Sequence, residues 1–302
     1  MTAAVGRLDG MRILLLSFVL LAAVRISAAD LKVDHVTFAG KSLDAMRKMF
    51  AGAGIPTEYG GRHSNGITEM ALASFPDGSY LELIAPIPGA DASPHYWFPF
   101  MAGDGGPCAW AIRSANLAPE VARLRKAGIE TDDEKAGRKR PDGKELRWET
   151  ARVGPGPQGS FFPFMIADET PRDLRAYPSG KPTTAAISGV KFVVVQVRDL
   201  AAAIARYRAA FQLPEPQMQD DATLGAHLAW FPGTPAILAS PSGPDTWLSQ
   251  RLKQFGEIPC AFILGSAAGI TAANPPTKWF SSQFMWIDAS KLNNARVGLA
   301  AR

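Results

Sequence analysis

An internal repeat constrains this chain more than any other feature. Val33-Asp34-His35-Val36-Thr37-Phe38, followed by Ser42-Leu43-Asp44 and a helical run to Gly54, recurs as Val190-Lys191-Phe192-Val193-Val194-Val195, then Asp199-Leu200 and a run to Phe211. Leu43 and Leu200 lie 157 positions apart. Leu83-Ile84-Ala85-Pro86 returns as Leu238-Ala239-Ser240-Pro241 at an offset of 155, and Pro107-Cys108-Ala109-Trp110 returns as Pro259-Cys260-Ala261-Phe262 at an offset of 152. A slowly shrinking offset describes two copies of one unit, the second slightly shorter.

Each copy divides again. A strand at 33–39 feeds a helix at 43–53, and strands near 67–75 and 79–85 follow, separated by the turn Pro76-Asp77-Gly78. This is a β-α-β-β-β unit. A second unit starts with strand 108–113, enters a helix after the N-cap residue Asn116 and leaves it at Gly128, and strands near 144–153 and 161–167 follow. Leu117, Val121 and Leu124 form one stripe of that helix, as expected for a helix covering a sheet. The third unit spans about 189–241 and the fourth about 258–301, the last with little room for a helix. Segment 171–188, with Pro171, Pro178 and Pro182, reads as an interdomain linker.

Residues 1–29 read as an export signal. Arg12 precedes the twelve-residue apolar run Ile13 to Val24, and Ser27-Ala28-Ala29 supplies small residues for a cut before Asp30. The run falls short of the ~20 apolar residues that cross a bilayer. An uncleaved anchor is the alternative, because Arg25 interrupts the approach to the cut. Beyond residue 29, 29 basic residues face 27 acidic ones, a balance that does not call for nucleic acid. Cys108 and Cys260, each opening an apolar run, read as buried thiols rather than a bridge. There is no Walker loop, no GxGxxG after a strand and no nucleophile elbow.

Four β-α-β-β-β units, with Asp34-His35-Val36 opening the first and Tyr80-Leu81-Glu82-Leu83-Ile84 closing it, resemble the vicinal oxygen chelate superfamily. More narrowly, Gly60-Gly61-Arg62-His63 followed by Gly78-Ser79-Tyr80-Leu81-Glu82-Leu83-Ile84-Ala85 is similar to the glyoxalase-like domain family, most strongly over 32–170. The resemblance implies an α+β fold of tandem βαβββ modules forming two domains with U-shaped mixed sheets. The first is 30–170, with modules at about 32–90 and 106–168, and the second, degenerate, is 189–302. It also implies a cavity for a metal ion or small ligand, in a superfamily that spans glyoxalases, epimerases, ring-cleaving dioxygenases and drug-binding resistance proteins.

In that superfamily the metal ligands come from the first and last strands of each paired unit. His35 and Glu82 match one pair. Alignment on the helices sets Ala109 at the third position, and alignment of Phe164-Met165-Ile166-Ala167 with the last strand sets Ala167 at the fourth. The second domain offers Phe192, Ile237, Ala261 and Gly298. A catalytic divalent cation normally takes about three protein ligands and an open position. His63, Glu69 or Glu149 would have to complete the set.

Independently of the resemblance, His35 alternates with Val33 and Thr37 on the face opposite Asp34 and Val36, and Glu82 sits between Leu81 and Leu83, where a carboxylate needs a partner. Together the two are candidate metal ligands or an acid-base pair without metal; a hydrogen-bonded structural histidine is the plainer reading. Arg62-His63 is expected to grip a polar or anionic substrate at a turn, and Arg147-Trp148 to reach the cavity, each set against an ordinary solvated loop. The basic stretch Lys135 to Lys144 reads as a solvated loop. His95-Tyr96-Trp97-Phe98-Pro99-Phe100 reads as packing between units in preference to a lid. His227, with no carboxylate near it in sequence, reads as structural. Three functions stand: an exported enzyme or former enzyme acting on a small oxygenated organic molecule, a sequestering protein of the bleomycin-resistance type, and an inert structural pair.

Overall fold

A computed structural model describes residues 1–2, 31–266 and 276–300. The export segment read at 1–29 lies, apart from its first two residues, outside the described residues.

The first unit is β1 (Val33–Ala39), α1 (Leu43–Gly52), β2 (Glu58–Arg62), β3 (Thr68–Ser74) and β4 (Tyr80–Pro86). After the short α2 (Phe98–Ala102) comes the second, β5 (Gly106–Arg113), α3 (Leu117–Lys126), β6 (Thr131–Lys139), β7 (Glu145–Val153) and β8 (Phe164–Asp168). A short α4 (Arg172–Ala176) precedes the third, β9 (Ile187–Gln196), α5 (Leu200–Phe211), β10 (Gln217–Asp221), β11 (Ala226–Trp230) and β12 (Ala236–Pro241). Then come α6 (Trp247–Phe255), β13 (Pro259–Ser266), β14 (Thr277–Trp279), β15 (Ser282–Trp286), a 3-10 turn (Ala289–Leu292) and β16 (Arg296–Ala300).

The two halves fold into curled mixed sheets of identical strand order, β2-β3-β4-β1-β5-β8-β7-β6 and β10-β11-β12-β9-β13-β16-β15-β14. In each, the opening strand runs parallel to the last strand of its own unit and antiparallel to the opening strand of the next. This is the tandem βαβββ architecture of the vicinal oxygen chelate fold. Helices start where a side chain can satisfy a free N–H: Ser42, Asn116 and Asp199 accept from the amides of Ala45, Ala118 and Ala202. Gly128 (φ +74°) ends the turn after α3, as its sequence position foretold.

One apolar core lies against the helical faces of both sheets. Leu81, Leu83 and Trp110 of the first meet Val193, Val195 and Phe262 of the second in a single cluster that also holds Phe50, Tyr207 and Phe211. Tyr207 stacks on Phe231 and donates its hydroxyl hydrogen to the Phe161 carbonyl, tying α5 to the first domain. The opposite, concave faces differ. In the second sheet Phe192, Trp279 and Phe284 are buried there beside Trp230 and Trp286, so aromatic rings fill that face. In the first it opens into a cavity.

Three segments depart from their sequence reading. Residues 58–62 form a strand, not a turn, with a bulge between Tyr59 and Gly61. Gly61 adopts φ +112° there, and a side chain would meet the Pro141 ring. The basic stretch at 135–144 is not a solvated loop: its first half lies in β6, where Arg138 is buried on the sheet's concave side, and Arg140, just past the strand, is buried by donating to the carbonyls of Leu174, Tyr177 and Pro178. Segment 171–188 carries α4, and two of its arginines reach back into the first sheet. Both cysteines are free and buried.

Because both sheets share the core, Phe211→Ala is expected to cost roughly 3–5 kcal/mol and to move the unfolding of both halves together. Urea unfolding followed by far-UV circular dichroism and tryptophan fluorescence would show it as one coincident, shifted transition. Two separate transitions, only one of them shifted, would contradict a common core.

Candidate functional site

Strand register assembles the site. β1 and β4 run parallel with His35 opposite Tyr80 and Thr37 opposite Glu82. Tyr80, Glu82 and Ile84 face the concave side, while Leu81, Leu83 and Ala85 enter the shared core. The His35 ring stacks on Tyr80 (centroids 4.8 Å, 6°) and meets the edge of Phe164 at 5.3 Å. The Thr37 hydroxyl donates to Glu82 Oε2 at 3.2 Å. His63 Nε2 lies 3.3 Å from Glu82 Oε1, with its Nδ1 2.9 Å from the Thr68 hydroxyl. His35 Nε2 is 3.8 Å from Glu82 Oε2.

Behind His35 is a residue that the sequence reading set on the other face. Asp34 Oδ1 lies 2.7 Å from His35 Nδ1. Pairing with β5 slips between Val33 and His35, and this bulge lets two consecutive side chains meet. Asp34 is fully buried. Arg175 of α4 grips it through two nitrogens, at 3.0 and 2.8 Å, and donates to the Tyr80 hydroxyl at 2.7 Å. Arg172 also donates to Asp34 and to the Gly78 carbonyl, and Asp168 accepts from both arginines.

Burial alone would raise the Asp34 pKa, but the Arg175 charge and the hydrogen bonds from His35 and Arg175 reverse it and hold the carboxyl well below its ordinary 3.8. An ionised carboxylate only accepts, so Nδ1 of His35 carries the hydrogen, and Nε2 faces Glu82. Glu82 shows the same contest. Burial raises its pKa, while the hydrogen bond and charge of His63, the His35 charge and the Thr37 hydroxyl together bring it down to about 2. His95 is pushed down to about 4, by burial first and by the neighbouring His63, against the pull of Glu82.

These groups line a cavity of about 420 Å³ whose walls include Met70, Leu72, Trp97, Trp148, Phe164 and Ile166. Of the residues picked from sequence, His35, His63, Glu82 and Trp148 line it. Arg62 and Arg147 do not: Arg62 is exposed, and Arg147 reaches outward toward Glu169 at 3.7 Å. Each stands one residue out of phase with the neighbour that lines the cavity, His63 and Trp148. The cavity arginines are Arg138 and Arg175, which sequence reasoning missed. Period-two spacing from Ala136 was the signal for Arg138; Arg138 Nη1 donates to the Gly60 carbonyl at 2.7 Å. His95, Tyr96 and Trp97 also line the cavity, although Trp97 and Phe100 are packed beneath it, so the aromatic connector does both jobs. His227 does have a carboxylate partner: Asp220, opposite it on β10, lies 2.6 Å from its Nδ1.

Register also fixes the pseudo-equivalent positions. Helices α1 and α3 open at Leu43 and Leu117, and β1–β5 pairs Thr37 with Ala109 and His35 with Ala111, so Ala109 is the counterpart of His35. Glu82 sits opposite Thr37, and its counterpart opposite Ala111 is Phe164. The expectation of Ala167 at that position is three residues off, because it matched the residues of β8 and not their pairing with β5. In the second sheet Phe192, Ile237, Ala261 and Gly298 hold the equivalent places, as read from sequence. Among the described residues no three His, Cys, Asp or Glu side chains gather to hold a metal ion. Glu82 turns one oxygen to each histidine, Oε2 to His35 Nε2 at 3.8 Å and Oε1 to His63 Nε2 at 3.3 Å. His35 and Glu82 supply two of the roughly three protein ligands that a catalytic divalent cation takes.

Residues 33–211 match the glyoxalase-like domain family, and the chain belongs to it. The match continues past the first domain through β9 and α5. Among solved structures, a hypothetical protein from Staphylococcus aureus is similar over 90% of this chain and 99% of its own, with 14% identity and a TM-score of 0.60. A triple mutant of 4-hydroxymandelate synthase from Streptomyces coelicolor is similar over 91% of this chain and 93% of its own, with 11% identity and a TM-score of 0.63. Methylmalonyl-CoA epimerase from Mycobacterium tuberculosis covers 39% of this chain and 91% of its own length at 16% identity, TM-score 0.33. At such identities the likeness shows the fold. A comparison with curated proteins found no match.

Because the folded pKa of Glu82 lies below its ordinary 4.5, its stabilising contribution is present above about pH 4.5 and is lost as pH falls toward about 2. Asp34, also depressed, acts in the same direction. Glu82→Gln is expected to flatten the stability-versus-pH curve over that interval, measured by urea unfolding between pH 2 and 6. An unchanged slope would show that the carboxylate is not held in this way.

Proposed function

We propose that the first-sheet cavity takes up a small oxygenated organic molecule and moves a proton on it, with Asp34–His35 as an oriented base and Glu82–His63 beside it. The observation that carries this reading is the buried Asp34–His35 pair at 2.7 Å, with Nε2 facing the cavity 3.8 Å from the Glu82 carboxylate. A proton accepted at Nε2 makes an imidazolium whose charge Asp34 and Glu82 stabilise, one at each nitrogen. Tyr80 and Phe164 hold the ring plane. His63, Arg138 and His95 are the donors available to an oxygen on the bound molecule, and Trp148 supplies a stacking surface.

The test is deuterium exchange. Small 2-oxo and 2-hydroxy carbonyl compounds incubated in D2O with the protein are expected to gain deuterium at carbon, and His35→Gln to slow the exchange by roughly 10²–10⁴-fold. Exchange that survives this change would remove His35 from the chemistry. Elemental analysis without chelator is expected to find no stoichiometric metal; near-stoichiometric metal lost in His35→Ala, Glu82→Ala would overturn the metal-free form of the proposal. The second reading is sequestration, favoured by the apolar and aromatic walls and by Phe164 standing at a ligand position. It is recognised by a compound that binds and is recovered unchanged, with no exchange.

Export is part of the proposal and rests on Arg12, the run Ile13 to Val24 and Ser27-Ala28-Ala29. N-terminal sequencing of the protein recovered outside the cytoplasmic membrane is expected to begin at Asp30. A chain retaining residues 1–29 within the cytoplasm would refute it.

A further inference from the structure

A second pocket lies at the seam between the domains, away from the first-sheet cavity. It has a volume of about 320 Å³ and takes its lining from three elements: Gly103–Gly105 before β5, Trp247 to Phe255 of α6, and Asn293–Ala295 after the 3-10 turn. At its base is a guanidinium with an incomplete set of partners. Arg251 Nη2 donates to the carbonyls of Pro107 and Pro259, at 2.6 and 3.3 Å, which are equivalent residues of the two repeats. Its Nε is buried without a hydrogen-bond partner. The Phe255 ring lies under the guanidinium at 4.9 Å.

What Arg251 lacks is a negative charge. Among the described residues it has no carboxylate at ion-pair distance. Its two sulfur neighbours do not compensate, because burial pushes the thiol of Cys260 up to about 12 and that of Cys108 higher still, leaving both protonated. Partial burial pushes Arg251 itself down to about 10, and no carboxylate among the described residues pulls it back up. Asp104 also lines the pocket, but its carboxylate is engaged by the Lys41 ammonium at 3.0 Å and the Lys41 amide at 2.8 Å. Four side-chain amides also line the pocket: Gln250, Gln254, Asn293 and Asn294. The two asparagines stand in the left-handed region, φ +50° and +61°, a strained backbone that brings consecutive side-chain amides to one place.

We propose that this seam binds a small oxyanion, carboxylate or phosphate, on the Arg251 guanidinium, with the surrounding amides donating to its remaining oxygens. A staple between domains needs only the Nη2 edge that already holds both carbonyls. A small oxyanion supplies the missing charge and accepts from the remaining N–H groups, through charge-assisted hydrogen bonds. Because the site draws on both repeats, its occupant ties them together, and binding appears as resistance to unfolding.

The experiment titrates the full chain with sodium citrate and, separately, with sodium phosphate, against sodium chloride at matched ionic strength, and reads Tm and calorimetric heat. The expected result is a saturating rise in Tm, distinct from the unsaturating salting-out these salts give any protein. A response to citrate alone identifies a carboxylate, and a response to phosphate alone a phosphate. Arg251→Met is expected to raise the dissociation constant by roughly 10- to 100-fold. Gln254→Glu, one helical turn from Arg251, supplies a fixed carboxylate; it is expected to raise Tm in chloride and to abolish the response, and it serves even where Arg251→Met folds poorly. A wild-type response no greater than that of chloride, or a saturating response that Gln254→Glu leaves intact, would overturn the proposal.

Discussion

The Asp34 carboxylate is the interaction on which the first domain is organised. It is fully buried, and an isolated ion there would be expensive. Two arginines from a helix outside the sheet, its histidine neighbour and, one bond further on, Tyr80 and Asp168 make the burial tolerable. The same network closes one end of the sheet, fixes the tautomer of His35 and sets the ring against Tyr80. Removing Arg175 alone would leave a buried carboxylate half-satisfied, a change felt both in stability and at the imidazole.

The two domains show what one topology permits. Their sheets share strand order and register, position for position, yet the first keeps polar groups at the floor of its concave face and the second has filled that face with rings. Phe192 replaces His35 and Ile237 replaces Glu82, and Trp279 and Phe284 pack over them. An apolar filling needs no partners, so the second sheet gains core where the first keeps a cavity. The first domain has itself gone halfway, with Ala109 and Phe164 at the positions its own symmetry equates with His35 and Glu82.

How much of this was legible in the chain is clearest from particular residues. His35 and Glu82 could be assigned to one face because strand alternation is local, and so could the four replacements in the second domain. Asp34 could not: alternation sends it to the opposite face, and only a bulge in pairing with a strand some 75 residues away brings it back. Arg62 and Arg147 were chosen by proximity to histidine and tryptophan in sequence, but odd-even position, not proximity, decides which side a strand residue faces. Arg138 was hidden because β6 is rich in charge and lacks the apolar signature of a strand. Phe164 was displaced by an unmeasured loop length.

The sequence by itself determined the repeat, the opening strand and helix of the first three units, the caps of α3 and the identity of the face that carries His35 and Glu82. These follow from short-range periodicity and from self-similarity, which need no coordinates. Tertiary structure alone decided that Asp34 stands behind His35, that the carboxylate of Glu82 lies between two imidazoles, and that Arg251 sits at a seam with no counter-ion among the described residues. Each depends on distances between residues far apart in the chain, set by register slips and by how two curled sheets share one core. No local pattern encodes such distances.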